Sequence, residues 1–251
     1  MAETFLKTYI TGFDDEIGGG IPEGHTVLLA GIPGTLKSTI AYNMAYRNAK
    51  NDGAKVLYIV LDRNKDKFNA QVSKLGMDNA GGNIMLYDLG TIKTNLSHFK
   101  GLNWWEPFMV HVRELKSSFD FNILVLDSLQ MLETIVRFTD AKSETHNIFK
   151  WLENDLRVTG ILISEMSLDS GRYSRYDEEI LVDGIIHLST HETESGVERR
   201  IRCVKMSGVA HNNNYFRLVL RGSDLFTEKA SGRHVPGLPV APSPSSDSYS
   251  F

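Results

Sequence analysis

The apolar run Thr26-Val-Leu-Leu-Ala30, followed at once by Gly31-Ile-Pro-Gly-Thr-Leu-Lys-Ser-Thr39, constrains this chain more than any other segment. A buried strand that passes through a Gly-containing loop ending in Lys-Ser and into a helix is the pattern of a phosphate-binding loop. A helix starting near Ser38 directs its unpaired N–H groups and the positive end of its dipole at an anion. Gly31 and Gly34 are expected to turn the chain tightly and bring backbone N–H groups close to phosphate oxygens. Lys37 is expected to sit as a point charge on the outer phosphates, and Ser38 to offer its hydroxyl to Mg2+. Thr35, Leu36 and Thr39 complete the expected set for holding a nucleoside triphosphate. The pattern places Gly just before the Lys, and Leu36 stands there instead. Leu36 still has an N–H to give, but it lacks the freedom for unusual backbone angles and adds bulk over the loop.

With 251 residues, 41% of them apolar, the chain is long enough for one α/β domain with a full core. A single cysteine, Cys203, leaves no disulfide frame and no cysteine zinc site, and it fits a reducing compartment. Residues 1–11 carry no apolar signal core and no stretch is apolar enough to span a bilayer, so a cytoplasmic protein with no membrane partner is expected. The net charge of −4 means that the surface as a whole does not attract nucleic acid, although a local basic patch could. Residues 230–251 differ from the rest: they hold Pro236, Pro239, Pro242 and Pro244 among many serines and have little to bury. They read as a flexible tail, or as a docking segment ending in Tyr249 and Phe251, behind a domain over 1–229.

Within 1–229 strands alternate with helices. Strands are expected at 26–30, 56–61, 83–87, 121–127, 159–165, 184–190, 198–206 and 215–220, and helices at 38–50, 66–76, 106–119 and 143–157. The last helix carries Ile148, Trp151, Leu152 and Leu156 on one stripe with Ser143 as a cap. Near-continuous apolar runs such as Val56–Leu61 and Ile123–Leu126 are what central parallel strands look like. The final three strands follow one another without helices, which predicts an antiparallel extension at one edge. Because ligands in such sheets bind at the carboxyl ends of the strands, residues 31–38, 62–64, 127–128 and 164–165 should face one crevice.

The strand Phe121-Asn-Ile-Leu-Val-Leu-Asp127 ends in an acid. In that position Asp127 can hold Mg2+ through water while the hydroxyl of Ser38 holds it directly. With these residues in place the chain resembles the KaiC-like branch of the RecA superfamily of ATPases, from about Thr11 to about Phe226. The resemblance rests on Thr11-Gly-Phe-Asp-Asp-Glu-Ile-Gly-Gly-Gly-Ile-Pro-Glu-Gly24, the loop itself, Val56–Asp62, Asp127-Ser128, Glu178–Leu188 and Arg200–His211. It implies a RecA-like three-layer fold, with a mostly parallel sheet, helices on both faces and an antiparallel C-terminal extension. It also implies assembly of the chain with itself into a ring, often a hexamer, with ATP at the subunit boundaries.

Three departures from that family bear on chemistry. Two adjacent glutamates usually follow the second strand and polarise the attacking water, whereas here the pair is Asp62-Arg63. Asp62 can act as a base from a shorter side chain, and Arg63 cannot. Near the end the family carries Lys-x-Arg-Gly across the subunit boundary, and here it reads Lys205-Met-Ser-Gly208. Lys205 remains available as a finger in trans, but Ser207 has no guanidinium fork. With Leu36, these changes predict ATP and Mg2+ binding with slow hydrolysis, in a nucleotide-gated regulatory or assembly module.

Two alternatives stand beside that reading. Arg172, Tyr173, Arg175 and Tyr176 lie in the 166–177 loop, where the fold implied by the resemblance can touch DNA, so a recombination- or repair-type ATPase is one. The same loop, or the tail, could dock a protein instead. The other alternative is an autophosphorylating kinase-like protein, given Ser243, Ser245, Ser246, Ser248 and Ser250. The histidines His98, His111, His146, His187 and His191 are scattered and read as structural or solvated, as does His211.

Overall fold

The structure is a computed structural model that describes residues 4–78, 80–95, 104–136, 141–167, 171–194 and 196–230. The strands are β1 (Phe5–Leu6), β2 (Ile10–Thr11), β3 (Ile21–Pro22), β4 (Thr26–Gly31), β5 (Val56–Val60), β6 (Ile84–Asp88), β7 (Ile123–Asp127), β8 (Thr159–Glu165), β9 (Gly184–Thr193), β10 (Gly196–Met206), β11 (Phe216–Arg221) and β12 (Asp224–Lys229). The helices are α1 (Lys37–Asn51), α2 (Lys65–Ser73), α3 (Leu89–Asn95), α4 (Trp105–Phe119), α5 (Leu129–Val136), α6 (Ala141–Lys150) and α7 (Glu178–Leu181), with a wide turn of π-helix over Trp151–Leu156 after α6. The expected tail lies, beyond Ala230, outside the described residues, as do His98 and residues 168–170 of the 166–177 loop.

One sheet of ten strands runs in the order β2-β12-β11-β10-β9-β4-β8-β7-β5-β6. From β9 to β6 every neighbouring pair is parallel, and β9 to β12 form antiparallel pairs. The sheet is therefore mixed as expected, with one refinement. Strand β9 belongs to both parts, pairing in parallel with β4 and antiparallel with β10. At the far edge β2 closes on β12 in parallel, which uses the segment before the phosphate loop to cover an otherwise open edge.

The central strands are buried on both faces because a helical layer covers each. Alternate residues therefore go to opposite cores. On one side Val27, Leu29, Val56, Tyr58, Ile123 and Val125 pack against Ile40 and Met44 of α1 and Phe68 of α2. On the other, Leu28, Leu57, Ile59 and Leu124 meet Trp105, Phe108 and Val112 of α4 and Leu132 of α5. The expected stripe Ile148, Trp151, Leu152 and Leu156 is buried in this second core. Ser143 does not cap that helix: α6 begins at Ala141, so Ser143 lies inside it. Trp104 and Trp105 open α4, with Trp105 buried against Trp151. The Gly-rich lead-in before β3 packs against the segment that follows β10, where the Asn212 N–H donates to the Glu16 carbonyl at 2.8 Å.

Candidate functional site

The loop after β4 sits at the carboxyl end of the parallel strands. The two glycines within it serve different ends. Gly34 has φ 86°, a left-handed conformation that an L side chain rarely adopts. Gly31 does not have a left-handed φ, contrary to its expected role in turning the chain. A Cβ there would lie 2.5 Å from the Leu188 carbonyl of β9, so Gly31 is needed to let β4 and β9 approach. Leu36 does take the left-handed conformation that the pattern reserves for Gly, with φ 70° and ψ 22°. That backbone costs roughly 1–2 kcal/mol, and packing of the Leu36 side chain against the α1 core offsets part of it.

No side chain caps the start of α1, which leaves its first-turn N–H groups available to an anion. Thr35, almost fully buried, donates its hydroxyl to the Ile32 carbonyl at 2.8 Å and braces the loop from inside. Lys37 Nζ donates to the carbonyls of Gly31 at 2.8 Å and Ile32 at 3.0 Å. Burial lowers the Lys37 pKa, opposed by the negative charges of Glu165 and Asp127. Thr39 is buried in the first turn.

Asp127 ends β7 and is 2% exposed. Burial pushes its carboxyl up to about 6; the Ser38 hydroxyl pulls it down and the charge of Asp62 adds to the rise. The Tyr58 hydroxyl lies 3.3 Å from Asp127 Oδ2 and 3.4 Å from the Ser38 carbonyl, so it braces the carboxylate from beneath. Tyr58 carries no motif signal in the sequence beyond a hydroxyl inside an otherwise aliphatic strand. A carboxylate and a hydroxyl side by side suit a hard cation that completes its shell with water and phosphate oxygens. Among the described residues no group of three or more His, Cys, Asp or Glu could hold a metal, so a cation here would depend on those outside ligands. The donor set fits Mg2+.

Asp62 and Arg63 follow β5, two and three residues beyond Val60, which pairs with Asp127. Arg63 turns back on its neighbour: Nε donates to Asp62 Oδ1 at 2.9 Å and an end nitrogen to Oδ2 at 2.7 Å. The other end nitrogen donates to Gln71 Oε1 of α2 at 3.2 Å. On the opposite flank Glu165 lies beside Gly31 in the sheet register. Its backbone N–H donates to Gln130 Oε1, while Gln130 Nε2 donates to the Ser164 hydroxyl. Residues 31–38, 62–63, 127 and 165 thus gather at the carboxyl ends of the strands, whereas of the other residues expected there Ser164 is buried and donates to the Tyr173 carbonyl and Asn64 caps α2. Arg199 of β10 is a further cation on its rim, with Nε 3.5 Å from the Gly34 carbonyl; nothing in its spacing marked it.

Lys205 is not in this crevice. It pairs with Ile185 near the start of β9, toward the amino ends of the parallel strands, and its Nζ donates to the Val182 carbonyl at 2.5 Å. A β-bulge between Cys203 and Lys205 breaks the alternation just before it and re-aims the side chain. In the 166–177 loop Arg172 is paired with Asp177 at 3.1 Å and Arg175 lies over the Tyr176 ring. Tyr173 is drawn inward, accepting from Arg202 at 2.8 Å and meeting His187 edge-on. Tyr173 is thus turned into the protein, while Arg172 and Arg175 remain exposed. His211 turns to its own Val209 carbonyl. No helix among the described residues is long and apolar enough to cross a membrane.

A mixed sheet of this order with a phosphate loop after its central strand defines a RecA-type P-loop protein. Comparison with known proteins narrows the class. The chain belongs to the KaiC family of ATPases, whose family model matches residues 6–222. It is 26% identical to a UPF0273 protein of Pyrococcus furiosus over 248 residues, covering 91% of this chain and 96% of that one. It is 23% identical to the circadian clock protein KaiC2 of a Synechocystis strain, covering 85% of this chain and 38% of that longer one. Among solved structures, a KaiC-like protein of Pyrococcus horikoshii superimposes with a TM-score of 0.76 at 24% identity, covering 90% of this chain and all of that one, which supports the fold.

Proposed function

We propose that this chain is an ATP-holding, slowly hydrolysing member of its family that works as a nucleotide-gated regulatory or assembly module. Lys37 and the uncapped start of α1 bind the phosphates, and the backbone N–H groups of Gly34, Thr35, Leu36 and Thr39 line the cradle. Ser38 and Asp127 hold Mg2+, which when bound neutralises charge on the phosphate oxygens. The folded unit is residues 1–229, and the unit assembles with itself into a ring, as a hexamer.

The observation that carries this reading is the contrast within one crevice. The groups that would hold a nucleotide are assembled, while both oxygens of Asp62, the nearest candidate base after β5, are taken by Arg63. Leu36 in a strained conformation and Ser207 in place of a guanidinium act in the same direction. The net charge of −4 favours this reading over a DNA-dependent one.

The test joins binding, turnover and mass. A fluorescent ATP analogue should bind with Mg2+ and be lost on Lys37→Ala. Steady-state phosphate release should run well below about 1 per second, the lower end of common enzyme rates. Light scattering with ATP and Mg2+ should give a mass several times 28.2 kDa. Turnover of several per second would remove the slow-hydrolysis reading, and a monomer under those conditions would remove the ring.

A further inference from the structure

We propose that Arg63 is a removable brake: Asp62 is a competent general base that the Arg63 fork masks, so that hydrolysis is gated at this pair and not lost. The proposal rests on the reading of the crevice as an ATP site and adds to it how that site is regulated.

Three features of the pair carry it. The contact is bidentate, with one N–H donor on each carboxylate oxygen, at 2.9 and 2.7 Å. Such a fork fixes the carboxylate plane and takes one acceptor site on each of the oxygens that would accept a proton from water. The third nitrogen is held by Gln71 of α2, so the fork is anchored on the scaffold side. Finally, the pair is accessible: each side chain keeps 32% of its exposure, and an ion pair this open to water is held only weakly. A carboxylate or phosphate that takes the guanidinium therefore releases Asp62 without disturbing the core.

Position makes Asp62 worth masking. It follows the strand that lies directly beside that of Asp127, and the charges of Asp62 and Arg63 are both felt at the Asp127 carboxyl. In the released state the Asp62 carboxylate accepts a proton from water as the water oxygen bonds to the outer phosphorus of ATP. The bond from that phosphorus to the bridging oxygen breaks, ADP leaves with the bridging oxygen, and the proton passes from Asp62 to solvent. In the masked state the fork fixes the carboxylate plane and takes one acceptor site on each oxygen. Arg63 is thus a positioning residue and Asp62 the group that meets the reacting water.

Four proteins in a single-turnover assay, with ATP affinity and melting temperature measured alongside, test this. They are the full chain, Arg63→Gln, Arg63→Lys, and Arg63→Gln combined with Asp62→Asn. Arg63→Gln should hydrolyse roughly tenfold faster or more, in keeping with the size of general-base effects, with ATP affinity within about twofold. Arg63→Lys keeps the charge but not the fork and should fall between the two. Adding Asp62→Asn should abolish the gain. The proposal is overturned if Arg63→Gln and Arg63→Lys bind ATP but hydrolyse no faster than the full chain, or if the gain survives Asp62→Asn. If the full chain itself binds no ATP, the reading of the crevice fails and the brake falls with it, an outcome that the affinity measurement separates from the others.

Discussion

Gly31 looks like one more turn residue of a phosphate loop, yet its surroundings give it a packing role. A Cβ at this position meets the backbone oxygen of Leu188 at 2.5 Å and the Thr35 hydroxyl at 2.8 Å. Backbone cannot rotate away as a side chain can, so Gly31→Ala should force β4 from β9 and cost about 1–3 kcal/mol, the usual range for overpacking. Urea unfolding of the two proteins measures this, and an unchanged midpoint would contradict it. Leu36 shows the reverse case. The pattern said that Gly belongs there, and the backbone obeys the pattern although the residue does not, because the turn into α1 requires a left-handed angle whatever side chain is present.

At the scale of elements, the least expected feature joins α5 to α7. Glu133 of α5 and Glu178 of α7 are both buried, and Glu178 lies close enough to act on the Glu133 carboxyl. Neither oxygen of Glu133 nor Oε1 of Glu178 has a hydrogen-bond partner among the described residues, while Glu178 Oε2 accepts from the Tyr176 N–H. The charged form of Glu133 is therefore disfavoured in the native state. Burial first, and then the Glu178 partner, push the Glu133 carboxyl from 4.5 up to about 8, with Arg175 opposing. The native state holds a proton that the unfolded chain has released across that window, so stability falls as pH rises from about 4.5 to about 8. Glu133→Gln cannot ionise and should lose this part of the slope. Melting temperatures at pH 5 and pH 8 for both proteins decide it, and equal slopes would refute the raised Glu133 pKa.

For the whole molecule, the decisive placement is that of Lys205. Its own phosphate loop follows the carboxyl end of β4, whereas Lys205 lies toward the opposite end of the strands, two strands away. If it serves as a finger, it serves a neighbour. Lys37→Ala and Lys205→Ala should each abolish most hydrolysis, but a 1:1 mixture should recover about a quarter of the full rate, since one boundary in four then joins an intact loop to an intact finger. No recovery after subunit exchange, shown by native mass with one variant isotope-labelled, would confine Lys205 to a structural role on the Val182 carbonyl.

Much of the fold was legible in the chain. The strands around β4, β5, β7 and β8 announce themselves because a parallel strand covered on both faces must be apolar at every position, and such runs are rare elsewhere. Strand β12 and helices α3 and α5 gave weaker signals. Strand β12 buries only Leu225 and ends in exposed Glu228 and Lys229, and α3 and α5 are short and follow strands without a turn signal. The phosphate loop and Asp127 could be placed from sequence because their chemistry fixes both residue type and position at strand ends.

What the sequence determined by itself is therefore the class of core, the loop and the acid opposite it, since each is encoded by neighbours along the chain. Only the tertiary structure decided how the side chains are spent. It turned Arg63 onto Asp62, put Tyr58 beneath Asp127, brought Glu178 close to Glu133 and pointed Lys205 away from its own loop. The physical reason is that hydrogen bonds and ion pairs are settled by distances of a few ångströms between strands and helices, and no periodicity along one segment carries that information.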